Sequence, residues 1–166
     1  PRGWMRAQMR RDLATGFAGC LDALSPHVAR DLFRERLDDA TGHAGWWDAE
    51  SRGNWLWGYT MLGHLSESAD HRARADVLVR ELRATQDADG YLGIHSAAAR
   101  YPAGDAENGE LWAQSRAILV LLAHYELTGE PASLDSARRA ADLTLSTYGP
   151  RRPHFGRRST LSDRTG

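Results

Sequence analysis

ELWAQSRAILVLLAHYELTGEPASLDSARRAADL, residues Glu110–Leu143, decides the fold. Its first half is apolar nearly all round in the middle, which predicts a helix buried on several sides. Gly129 stops that helix, and Pro131 suits the first position of the next one, an amphipathic Arg/Ala-rich segment. The stretch therefore reads as a helical hairpin. The same plan appears earlier, in NWLWGYTMLGHLSESADHRARADVLVREL, residues Asn54–Leu82. Trp55 corresponds to Trp112 and His64 to His124, an offset of 57 to 60 residues. Repeats of this length are helical hairpins. One hairpin cannot bury both of its faces, so hairpins must stack side by side or close into a ring.

Outward from this pair the pattern stays helical. Trp4, Met5, Met9, Leu13, Phe17, Leu21 and Leu24 recur at three- and four-residue spacing and predict one N-terminal helix. Ser25 and Pro26 suit the N-cap and first position of a second. A third helix is expected from about Arg52 to Ser68. A fourth is expected from about Ala69 to Thr85, with Val77, Leu78 and Leu82 inward and Asp70 as a cap. No segment keeps a clean period of two, so no long strand is expected.

Composition bounds the function. The 166 residues are 42% hydrophobic and 26% charged, with a net charge of -1. That suits one core and offers no basic field for nucleic acid. No apolar run approaches the ~20 residues that span a bilayer. The start has no signal-peptide pattern and no initiator Met, so the compartment stays open, with the cytoplasm favoured. All 21 basic residues are Arg, which reads as a codon-composition bias. The lone Cys20 allows no internal disulfide framework and no Cys-rich zinc site.

Three stretches are placed to lead into inner helices and combine carboxylates or amides with aromatics: Gly45–Trp57, Gln86–His95 and Asp105–Gln114. Sugar sites use that mixture, since ring faces stack on Trp or Tyr and hydroxyls bond to Asp, Glu, Asn, Gln and His. The candidate substrate-binding residues are Trp47, Glu50, Asn54, Asp89, Tyr91, His95, Glu110, Trp112 and Gln114. Paired carboxylates are the general tool of glycosidic cleavage. Glu50, Asp89, Glu107 and Glu110 are the candidates for such a pair. In QDADGYLG, residues Gln86–Gly93, Gly90 is expected at positive φ. Asp87 and Asp89 are expected to accept from backbone amides of the turn. Tyr91 and His95 should then point toward the cavity shared with Glu50, Asn54, Glu110, Trp112 and Gln114. No His, Cys or carboxylate spacing suggests a metal, and no Gly-rich phosphate loop appears.

GNWLWGYTMLGHL, ELRATQDADGYLGIH, NGELWAQSRAILVLLAHYELTGE and ARRAADLTLSTYGP follow in one order, over about Trp46 to Pro150. In that order the chain resembles the β-L-arabinofuranosidases of glycoside hydrolase family 127. The resemblance implies an all-α fold of antiparallel helical hairpins forming part of an (α/α)6 toroid. It implies a carbohydrate substrate, an arabinofuranoside-like or other plant or microbial glycan. It also implies that residues 1–150 are a partial barrel domain, the N-terminal half of a longer protein, with 151–166 a frayed polar tail. Such a fragment is expected to be inactive by itself. By the same resemblance a Cys-rich zinc site and a catalytic Glu belong to the other half, and no cofactor belongs to this one. Active relatives carry His-Glu-Leu-Tyr where this chain has Gly109, Glu110, Leu111 and Trp112. Two other readings stand beside this one. Terpene cyclases use Gln…Asp-Gly-aromatic turns as clamps between hairpins, which would leave only Tyr91 near a cavity. A non-catalytic helical repeat would instead bind protein partners.

Overall fold

A computed structural model describes residues 1–38, 45–101 and 109–148. Among these residues lie eight helical segments: α1 (Trp4–Thr15), α2 (Phe17–Leu24), α3 (Pro26–Ala29), α4 (Leu32–Glu35), α5 (Trp47–Leu65), α6 (Ala69–Ala84), α7 (Glu110–Thr128) and α8 (Pro131–Tyr148). Among the described residues there is no strand, only a single parallel bridge between Leu37 and His95. The all-α expectation holds, and so does the pair of hairpins.

In the first hairpin α6 returns along α5. Tyr59 meets His71 and Arg74, and Gly63 lies against the backbone of His71. In the second, α8 returns along α7, with His124 bonded to Ser133 and Gln114 to Thr144. The inner helices α5 and α7 run parallel. Trp46 meets Gly109, Gly53 meets Arg116 and His64 meets His124, in step along both. Ala113, Ala117, Val120 and Leu121 of α7 join Ala49, Trp55, Leu56 and Tyr59 of α5 in one core. Parallel inner helices with antiparallel outer ones are the repeating unit of an α/α barrel, and the described residues supply two such units in a row.

The N-terminal helices dock on α5 through polar contacts. Trp55 Nε1 donates to the Ala18 carbonyl (3.0 Å). Arg52 donates to the Val28 carbonyl (2.9 Å) and reaches Asp31. Arg74 reaches the Gly19 carbonyl (3.1 Å) and pairs with Asp22.

Several expectations need correction. The predicted N-terminal helix breaks at Gly16 into α1 and α2, and of its periodic residues only Leu13 is buried. Trp4, Met5, Phe17 and Leu24 are exposed, because no element among the described residues covers that side. The second predicted helix is two single turns, α3 and α4. Its Ser25 sits at the N-cap without a side-chain cap bond. On α6, Leu82 is buried but Val77 is exposed. Helix α5 starts at Trp47, five residues before the expected Arg52. Asp48 and Glu50 occupy its first turn, where carboxylates favour the dipole. Buried Asp48 is held there by His27 (2.7 Å) and Arg30 (3.2 Å).

Candidate functional site

The stretches 45–57, 86–95 and 109–114 gather at one end of the hairpins, where both inner helices begin. Trp46 and Gly109 are the N-cap residues of α5 and α7, and they touch. Gly109 has φ 65°, and a Cβ on it would fall 2.3 Å from Trp46 Cδ2. The place of a side chain at position 109 is therefore filled by the Trp46 indole.

Between α6 and α7 the chain makes the turn of Gln86–Gly93. Gly90 has φ 100°, as expected, and a Cβ there would meet the Arg139 carbonyl oxygen at 2.7 Å. Asp89 Oδ1 accepts from the Tyr91 N–H (3.0 Å), also as expected. Asp87 behaves differently: its carboxylate pairs with Arg36 and Arg100 rather than with backbone amides. The turn is bolted to α8. Gln86 Nε2 donates to the carbonyls of Gly90 and Ser136, both at 2.9 Å, and Ser136 Oγ donates back to Gln86 Oε1 (2.8 Å). Gln86 and Gly90 thus act as the inter-hairpin clamp.

Beyond the turn a polar knot is closed from solvent. The Tyr91 hydroxyl donates to Glu110 Oε1 (3.0 Å) and accepts from the His95 backbone N–H (3.1 Å). Glu110 Oε2 accepts from the Tyr101 N–H (3.0 Å). Tyr91, His95 and Glu110 are all buried. The guanidinium of Arg100 lies 3.7 Å from the Tyr91 ring centroid and that of Arg36 lies 5.3 Å from it. Burial drives the Tyr91 phenol well above its ordinary range, and the neighbouring Glu110 carboxylate adds to this. Burial also raises Tyr101 and lowers Arg36, the latter against the pull of Asp87. Gln114 is buried one turn along α7, accepts from the Thr144 hydroxyl (2.8 Å) and lies against Tyr101.

The remaining candidates form an open face. Trp47, Glu50 and Asn54 share one side of α5, since spacings of three and seven return to the same face. Trp57 extends that stripe. Trp47 is 48% exposed, Asn54 is exposed and Glu50 is half-buried. Arg116 joins this stripe to α7. Its guanidinium lies 4.5 Å from the centroid of half-buried Trp112, and its Nη1 reaches Asn54 Oδ1 (3.4 Å). The candidates thus divide into a buried knot (Tyr91, His95, Glu110, Gln114), an open stripe (Trp47, Glu50, Asn54, Trp112) and Asp89, which stays at the exposed turn beside Arg100. Glu107 lies outside the described residues.

Over residues 6–160 the chain matches the family model for the beta-L-arabinofuranosidase GH127 catalytic domain. The chain belongs to this family. No curated protein matches it. Membership makes it a domain of the glycoside hydrolase type, and the α/α hairpins agree. The Cys-rich zinc site expected of the family needs several thiolates. The single Cys20, half-buried on α2, cannot supply them. No helix among the described residues is long and apolar enough to cross a membrane.

The roles of two arginines and two histidines are not visible in the sequence. Arg36 and Arg100 sit in irregular segments with no periodic signal, yet both contact Tyr91. His64 and His124 were visible as partners in the repeat, but not their convergence on Asp76 from α6. The spacing of these three gives no metal signature, and only the packing of α5, α6 and α7 brings them together.

Proposed function

We propose that the chain forms one wall of the sugar-binding cavity of a glycoside hydrolase acting on an arabinofuranoside-like or other plant or microbial glycan. The observation that carries this reading is the continuous open face made by Trp47, Glu50 and Asn54 on α5 and Trp112 on α7, joined by Arg116. Inner helices of an α/α barrel turn one stripe toward the lumen, and this is the stripe that no described element covers. Indole faces suit sugar rings, while amide, carboxylate and guanidinium groups suit hydroxyls. The Tyr91–Glu110 knot stands behind the wall and fixes the start of α7. A buried carboxylate bonded to both a phenol and a backbone amide is suited to holding that start rigidly. Residues 1–150 act as the barrel segment, and the cleaving carboxylate pair is completed outside this wall.

The test is a panel of nitrophenyl glycosides, with the β-L-arabinofuranoside among them, and plant oligosaccharides, assayed with the intact protein. Cleavage or millimolar binding of at least one glycan, weakened by Trp112→Ala, is the expected result. Binding of a terpenoid or a protein partner with no glycan recognised would overturn the reading.

A further inference from the structure

At the other end of the inner helices three metal-ligating side chains converge. His64 of α5 places Nε2 3.0 Å from Asp76 Oδ1 of α6. His124 of α7 places its own Nε2 3.2 Å from the same oxygen. One ligand atom from each residue lies within 4.8 Å of the other two. Fourteen residues of α7 separate His124 from Glu110, or about 21 Å along the axis, so this cluster is remote from the sugar-facing end.

Several features suit a cation. Tetrahedral zinc with bonds of about 2.0–2.1 Å has ligands about 3.3 Å apart, close to the two separations onto Asp76. His124 Nδ1 is held by Ser133 Oγ of α8 at 2.9 Å, the outer hydrogen bond that orients a ligating imidazole. Beside the cluster lies a cavity of about 110 Å³, bordered by Asp76, Arg80, His124, Thr128 and Glu130. It gives an ion an entry path and room for water at open positions. The opposite charges of Arg80 and Glu130 leave its rim near neutral.

We propose that His64, Asp76 and His124 form a divalent transition-metal site, with Zn²⁺ the ion that suits two imidazoles and one carboxylate. Its donor set differs from a Cys-rich site. By taking one ligand from each of α5, α6 and α7, and an orienting bond from α8, the ion staples both hairpins together. The competing arrangement is a proton-only knot. There His124 carries its proton on Nε2 and donates to Asp76, while Ser133 donates to Nδ1. In the metal-bound form the proton is on Nδ1 and is given to Ser133.

The experiment strips the intact protein with a chelator and titrates it with Zn²⁺ alone against a competing colorimetric chelator. Co²⁺ serves as the spectroscopic probe, and thermal melts are run in parallel. The expected result is one ion per His64–Asp76–His124 cluster, a Co²⁺ d–d band near tetrahedral intensity, and a melting temperature that rises with Zn²⁺. Asp76→Asn and His124→Gln should remove that ion. Ser133→Ala should weaken it by about tenfold or more. If Asp76→Asn fails to fold, His64→Gln and histidine ¹⁵N spectra of the wild-type protein decide. A Zn²⁺ affinity unchanged in His64→Gln, or a His124 Nε2 proton that persists in saturating Zn²⁺, overturns the proposal.

Discussion

The Trp46 indole lies over Gly109 so closely that no side chain fits at residue 109. Gly109→His should therefore destabilise the fold, by about 1–3 kcal/mol for overpacking. Left-handed backbone at a residue with a Cβ adds about 1 kcal/mol. Adding Trp46→Ala should recover part of the loss. Chemical denaturation of the two single variants and the double variant measures the coupling, and strict additivity would show that the two residues do not compete for one space.

Gly90→Val should cost roughly 1–3 kcal/mol, because the residue is held at a φ that a β-branched side chain resists. The Arg139 carbonyl also stands where the new Cβ would go. The denaturant midpoint should fall at an unchanged m-value. A midpoint equal to wild type would mean that the turn relaxes freely.

Tyr91→Phe removes the hydroxyl that bonds Glu110 and the His95 amide, and should cost about 1–3 kcal/mol. The same phenol supports a pH prediction. Burial raises Tyr91, Tyr101 and Tyr59 in the fold above the ordinary value of about 10. Above pH 10 the unfolded chain therefore releases protons that the folded chain keeps. The stabilisation is complete below pH 10 and is lost as pH rises through the folded values. Tyrosinate absorbance at 295 nm should show these residues ionising together with unfolding, and Tyr91→Phe should flatten the alkaline loss. Full ionisation of all the tyrosines in a folded chain would refute this.

Asn54→Ala should leave the melting temperature nearly unchanged, since that amide is exposed, whereas Trp112→Ala should lower it, since the indole is half-buried against Arg116. Each should raise KM for a cleaved glycan several-fold, the equivalent of roughly 1 kcal/mol of lost contact. Unchanged KM in both variants would remove this face from the substrate path.

Much of the architecture is legible because it is periodic. The apolar middle of α7 and the Gly129–Pro131 boundary located the second hairpin, and its echo located the first. Regions without periodicity were not legible. Trp47–Ser51 reads as a polar loop until His27 and Arg30 are seen to bond to buried Asp48, which lets α5 begin early. The stripe Trp4–Leu24 has a helix period, but period alone cannot say whether anything covers it. In the candidate site, the three stretches picked for their residue types do gather at one end of the hairpins. The division between a sealed knot and an open wall could not be read, because Tyr91 is covered by Arg36, far off in sequence, and by Arg100, and both lie in irregular segments.

The bolt between Gln86 and Ser136 joins residues 50 apart in sequence, whereas α5–α6 and α7–α8 are each closed by two or three residues. Short closures are entropically cheap and form early, while long ones wait. The hairpins are therefore expected to assemble first, with the bolt engaging once α8 has docked. A contact made after the rate-limiting step governs escape from the native state rather than arrival at it. Gln86 is thus expected to set the protein's lifetime: Gln86→Ala should quicken unfolding while the refolding rate stays nearly as it was, which stopped-flow folding and unfolding rates would check.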